Sequence, residues 1–210
     1  MKGLAPHPAP HGCVAEKAPT ALLLIDVINP FDFPEAGRLL HFARPAARRI
    51  ATLKQKLTAR GIPAIYVNDN FGRWQSDFHA QVDLCLRDDC PGADIVDLLR
   101  PGPHDYFVLK PKHSGFYSTS LELLLDYLGA RQIVLTGFAG NLCVLHTAND
   151  AYMRDFELWV PEDCIASETA GLNHAASQHM QRFLRADTRP STQRSILRTL
   201  PEAKMKTERL

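Results

Sequence analysis

The run Ala21-Leu-Leu-Leu-Ile25 is apolar at every position and is closed by Asp26. A strand with one wet face alternates polar and apolar residues. One without alternation is buried on both faces, which calls for helices above and below a mainly parallel sheet. The rest of the chain answers that need. A helical stretch follows over residues 41–60, with Ala46, Ile50, Leu53 and Leu57 at helical spacing and Gly61 at its stop. Further buried strands are expected at 62–68, 106–110, 132–136 and 157–160. Thr119-Ser-Leu-Glu122 has the form of a capping box opening a helix that Gly129 closes. Two more helices are expected over 141–154 and 167–185, and short ones near 77–86 and 93–99 within the long connection 71–102. This alternation predicts an α/β chain: a three-layer α/β/α sandwich around a mainly parallel sheet.

At 210 residues the chain suits one domain, expected over 19–190. Residues 1–18 carry Pro6, Pro8 and Pro10 and read as an extended arm, and 191–210 as a polar tail. A net charge of +1 offers no electrostatic case for nucleic acid or an anionic membrane as partner. No apolar run has the length of a membrane span, and the first residues lack a signal peptide's apolar region. Five cysteines, an odd number with no Cys-x-x-Cys, fit a reduced cytoplasmic protein better than a disulfide framework.

In parallel sheets, sites form beyond the carboxyl ends of the strands. The polar residues at those ends are Asp26, Asn68, Asp69, Lys110, Glu162 and Asp163, with Cys143 just past the fourth strand. Cys143 lies in Leu135-Thr-Gly-Phe-Ala-Gly-Asn-Leu-Cys-Val144, where a strand passes through a glycine-bearing turn into a helix. A thiol in a first helical turn meets unpaired N–H groups that favour thiolate and can stabilise an oxyanion. Asp26 would take the thiol proton and Lys110 would keep Asp26 ionised, with Lys112 a rival for that role on the residues alone. Each also has a plain reading: a turn cap for Asp26, a solvated loop lysine for Lys110, an inert buried cysteine for Cys143. Phe31, Phe71, Trp74, Phe116 and Phe138 would wall a pocket for a small planar or apolar substrate, or would simply be core and lid packing. His113 and Ser114 are placed to hydrogen-bond substrate; His146 reads as structural, and His174 and His179 do not share a face well enough for a metal pair.

Three ordered motifs, Leu-Leu-Ile-Asp26-Val, Lys110-Pro-Lys-His-Ser114-Gly-Phe116 and Thr136-Gly137-Phe-Ala-Gly-Asn-Leu-Cys143-Val with Thr147-Ala148 and Asp150-Ala151, carry a family resemblance over residues 21–167. The chain resembles the isochorismatase-like cysteine hydrolases, which include nicotinamidases and N-carbamoylsarcosine amidohydrolase. The resemblance implies a catalytic triad of Asp26, Lys110 and Cys143, with Lys110 rather than Lys112 matching the family lysine. It also implies a Rossmann-like sheet of about six strands, a cis peptide between Phe138 and Ala139, and an oxyanion hole from the N–H groups of Ala139 and Cys143. Asp69, Phe71, Trp74, Phe31, Ser114 and Phe116 are the expected substrate contacts, and a homo-oligomer acting on a small molecule is expected. Nicotinamidases carry an Asp-x-His metal motif after strand two, whereas this chain has Asn68-Asp69-Asn70-Phe71 and no histidine until His79. The expectation is therefore a hydrolase with no metal and no cofactor, cleaving a small amide, carbamoyl or related C–N bond through an acyl-enzyme. Ether hydrolysis and a non-catalytic binding role are the alternatives.

Overall fold

The computed structural model describes residues 17–72, 77–87, 89–193 and 200. Most of the expected arm and tail, together with Cys13 and Trp74, lie outside the described residues. Strand β1 (Thr20–Ile25) is buried at all six positions and sits at the centre of the sheet. It pairs in parallel with β2 (Ala64–Asp69) on one side and β4 (Gln132–Phe138) on the other. Beyond β2 lies β3 (Tyr106–Lys110), and beyond β4 lies β5 (Glu157–Trp159), all parallel. The two-residue β6 (Ile165–Ala166) continues the β5 edge by pairing with Gly137 and Phe138.

Because successive side chains leave a strand on opposite faces, β1 feeds two cores. Leu22 and Leu24 pack with α1 (Ala36–Thr58), α2 (Phe78–Cys85) and α3 (Ala93–Leu98). Ala21, Leu23 and Ile25 pack with α4 (Leu121–Leu128), α5 (Leu145–Tyr152) and α6 (Ala170–Phe183). The result is the three-layer sandwich that an uninterrupted apolar β1 requires. No helix among the described residues is long and apolar enough to cross a membrane.

Several local expectations are corrected. Helix α1 begins at Ala36, five residues before the expected start at 41, and runs through Pro45. The added residues bury Ala36, Leu39 and Leu40, and each buried leucine returns roughly 1.5–3 kcal/mol. The capping box does not form: the α4 N-cap is Ser120, with no side-chain cap bond. Thr119 Oγ1 instead donates to the Gly115 carbonyl and accepts from Leu121 N–H, while Glu122 pairs with Arg154 at 2.9 Å. Helix α6 starts at 170, capped by Thr169, because the Ser167 hydroxyl is already engaged with Asn141 and Asn173.

Gly137 shows why β4 can pass so close to β1. Its φ is +118°, and a Cβ there would lie 2.1 Å from the Ile25 carbonyl oxygen. Gly137→Ala is thus expected to destabilise the fold by at least ~3 kcal/mol, read as a fall in the urea midpoint at unchanged slope. A loss under ~1 kcal/mol would contradict the Ile25–Gly137 register.

Candidate active site

Asp26 stands just past β1 with φ +50°, a left-handed conformation that aspartate tolerates better than most side chains. It is 5% exposed, and both oxygens are engaged. Oδ1 accepts the Asp69 N–H at 2.7 Å, and Oδ2 lies 2.8 Å from Lys110 Nζ. Lys110 closes β3, two strands away, and its fully buried stem reaches past β2 to Asp26. The same ammonium is 3.5 Å from Asp69 Oδ2 and 3.6 Å from Cys143 Sγ. Cys143, 8% exposed, completes the cluster from the far side of β1.

The ionisation of these three groups is collective. Burial alone would pull Lys110 down, but Asp26, Cys143 and Asp69 together hold it above the ordinary lysine value. Burial pushes the Asp26 carboxyl up against the opposing pull of Lys110. Burial, and then the Asp26 carboxylate, push the Cys143 thiol well up, with Lys110 opposing. Cys143 sits in a π-type turn (Gly140–Val144) rather than at the mouth of a regular helix. Losing the thiol proton to water would leave an extra buried anion. Passing it to Asp26 leaves the net charge unchanged, with Lys110 in reach of both partners.

Two braces bring the motifs together. Thr147 Oγ1 donates to the Cys143 carbonyl at 2.7 Å and accepts the Gly115 N–H at 3.0 Å, tying α5 to the loop after β3. Ser114 hydrogen-bonds Asp150, Arg154 meets Asp150 at 3.4 Å, and its guanidinium lies 4.8 Å from the centre of the Phe116 ring. Ser114 and Phe116 are both buried within this brace. The Phe138–Ala139 peptide is cis. The N–H groups of Leu142 and Val144 donate to the Ala139 carbonyl, and that of Asn141 to Ser167 Oγ.

Of the expected pocket aromatics, Phe31 is buried and packs on Phe138 with ring centres 6.2 Å apart, in the core shared with α1. Phe71 is 42% exposed, and its N–H donates to Asp69 Oδ1 at 2.6 Å. Phe31 and Phe71 both hold positive φ, at 53° and 52°, an unusual state for bulky side chains and one concentrated at functional sites. Lys112 is exposed. Glu162 and Asp163 are not brought to the thiol: β5 pairs only with Gln132–Val134, so its carboxyl end stops short of the rim. Asp163 binds Ser191 there, and a cleft of about 350 Å³ between α1 and α6 opens on that side. That cleft contains none of Asp26, Lys110 or Cys143.

His113 is the neighbour of the thiol that sequence reasoning assigned only to substrate. Its Nδ1 is 3.7 Å from Cys143 Sγ, and its ring centre is 5.5 Å from that of His146. The available signal was its place three residues after Lys110, on the turn that leaves β3. No group of three or more His, Cys, Asp or Glu side chains among the described residues is arranged to hold a metal ion.

The chain belongs to the isochorismatase family: the isochorismatase domain model matches residues 20–189. It is 42% identical over 171 residues to the uncharacterized isochorismatase family protein YaaI of Bacillus subtilis (strain 168), covering 81% of this chain and 93% of that protein. Over 202 residues it is 29% identical to the ureidoacrylate amidohydrolase RutB of Methylobacterium radiotolerans, covering 83% and 78% of the two chains. The crystal structure of N-carbamoylsarcosine amidase from Thermoplasma acidophilum is similar at a TM-score of 0.63 and 27% identity, over 83% of this chain and 97% of that one.

Proposed function

We propose that this protein is a cysteine amidohydrolase that cleaves a small amide, carbamoyl or ureido C–N bond through an acyl-enzyme on Cys143. The observation that carries this reading is Lys110 Nζ, 2.8 Å from Asp26 Oδ2 and 3.6 Å from Cys143 Sγ, with all three side chains buried at the strand ends. Asp26 takes the thiol proton as Sγ attacks the carbonyl carbon, and the N–H groups of Ala139 and Cys143 receive the developing oxyanion. Asp26 then returns the proton to the departing nitrogen, which leaves as a neutral amine or ammonia. Lys110 keeps Asp26 ionised beforehand and balances the sulfur as it becomes anionic.

The carbamoyl or ureido class draws support from Asp69. Its side chain is 30% exposed beside Lys110, so it presents an acceptor to substrate N–H groups. Phe71, two residues on and 42% exposed, adds an apolar surface next to that acceptor. The similar proteins RutB and N-carbamoylsarcosine amidase are named for substrates with this kind of bond. Ammonia release measured across a panel of small amides, ureido acids and carbamoyl amines tests the reading. A protein that releases none, yet cleaves a vinyl ether with or without Cys143, would be an ether hydrolase instead.

Activity is expected to survive prolonged chelation within ~20%. The carboxylate that would lead a metal site, Asp69, is flanked in sequence by Asn70 and Phe71 rather than histidine. Its oxygens face the Phe71 N–H and the Lys110 ammonium. A cation 3.5 Å away opposes a divalent ion at that position. Loss of activity on chelation, with recovery on adding Zn²⁺ or Mn²⁺, would overturn this expectation.

A further inference from the structure

We propose that His113 is the base that activates the hydrolytic water in the second half of the reaction, an inference that rests on the acyl-enzyme reading above. Once the leaving nitrogen has departed, Cys143 carries a thioester, and a water must reach its carbonyl carbon. Asp26 is poorly placed to prepare that water. It is 5% exposed, with one oxygen on the Asp69 N–H and the other on Lys110. His113 also borders the sulfur. It is exposed, and its Nδ1 is 3.7 Å from Sγ. A nitrogen at that distance from Sγ borders the thioester the sulfur would carry, where a base can meet a water approaching the carbonyl carbon.

The ring is also held in place. Its backbone follows Lys110 directly out of the sheet, and the next two residues are anchored by the Ser114–Asp150 bond and by the Gly115 N–H to Thr147. On its far side stands His146, whose Nδ1 is 2.7 Å from the Leu142 carbonyl. A carbonyl only accepts, so His146 Nδ1 carries the hydrogen and its ring orientation is fixed. His146 is thus a positioning residue for the His113 ring, 5.5 Å away.

The step balances as follows. Water oxygen bonds to the thioester carbon while one water proton moves to the His113 imidazole. The tetrahedral oxyanion collapses, the C–S bond breaks, and the sulfur leaves with the bonding pair. The imidazolium returns its proton to Sγ, which restores the resting thiol and releases the acid product.

p-Nitrophenyl acetate separates the two halves, because its chromophore leaves on acylation and steady turnover then reports hydrolysis of the acetyl-enzyme. Wild type should give a burst equivalent to its active thiol, followed by slow turnover. His113→Gln should keep the burst while steady turnover falls about 10²-fold or more, with an acetyl adduct on Cys143 accumulating in the intact mass. Added imidazole should restore part of the loss, and His146→Ala should slow only the steady phase, by a smaller factor. A His113→Gln enzyme with unchanged steady turnover would overturn the assignment. So would one slowed equally in both phases with no adduct. A wild type that gives neither burst nor adduct would remove the acyl-enzyme reading itself, an outcome distinct from either of these.

Discussion

Cys143→Ala is expected to abolish ammonia release from every amide the wild-type enzyme accepts, by ~10⁴-fold or more, while leaving a folded protein. Among the described residues, no other thiol lies beside Asp26 and Lys110. Cys85 and Cys164 are buried outside the site, and burial pushes the thiol up to about 12 at Cys85 and higher still at Cys164. The substitution removes one sulfur from a well-packed position, so a stability loss of about 1 kcal/mol is expected, read in the urea midpoint. A variant retaining a tenth of wild-type turnover would end the nucleophile assignment.

Alkylation sharpens the same expectation. A resting thiol held protonated by burial and Asp26 reacts with iodoacetamide only when its proton has somewhere to go. Asp26 supplies that place without changing the charge of the site. Loss of activity should therefore follow the labelling of Cys143 and slow sharply in Asp26→Asn. Half-buried Cys90 can be labelled in parallel without loss of activity. Inactivation that tracked Cys90 instead would count against the thiol chemistry proposed here.

The extent to which the sequence disclosed this site has a physical basis. A parallel sheet aligns all its carboxyl ends on one rim, so a polar residue closing an apolar run is already placed in three dimensions. Asp26 after Ala21–Ile25 and Lys110 after Tyr106–Leu109 were legible for that reason, as was β1's central position from its lack of alternation. Glu162 and Asp163 broke the rule because strand length is set by pairing, and β5 ends after three paired residues. The start of α1 was hidden because Ala36, Leu39 and Leu40 are set into the helix by burial against the sheet, and in the folded chain Glu122 pairs with Arg154 rather than closing a capping box. The thiol's surroundings were less legible for a related reason. A helix dipole is a local property visible in sequence, whereas desolvation and the closeness of Asp26 exist only after β1 and β4 have paired. His113 was hard to weigh for the same cause, since its distance to Sγ depends on the Thr147 brace between two motifs.

Asp26→Asn is expected to lower kcat by roughly 10²–10⁴, the usual worth of a general base. Asparagine keeps the size of the side chain and tolerates the φ of +50° at this position, so the backbone should hold. Its carbonyl oxygen can still accept the Asp69 N–H, but it cannot take a proton from sulfur, and its NH₂ cannot accept from Lys110. Lys110→Met tests the partner while preserving bulk at a fully buried position. Burial already raises the Asp26 pKa and Lys110 opposes that rise, so removing the cation lets it climb further. The base must be ionised to act; the low-pH limb of kcat/KM should therefore move to higher pH in Lys110→Met, with part of the lost activity recovered as pH rises. Asp26→Asn should show no such recovery, because no carboxylate remains to ionise. An Asp26→Asn enzyme within about threefold of wild type would move the base role for acylation across the sulfur to His113, the other proton acceptor that touches it.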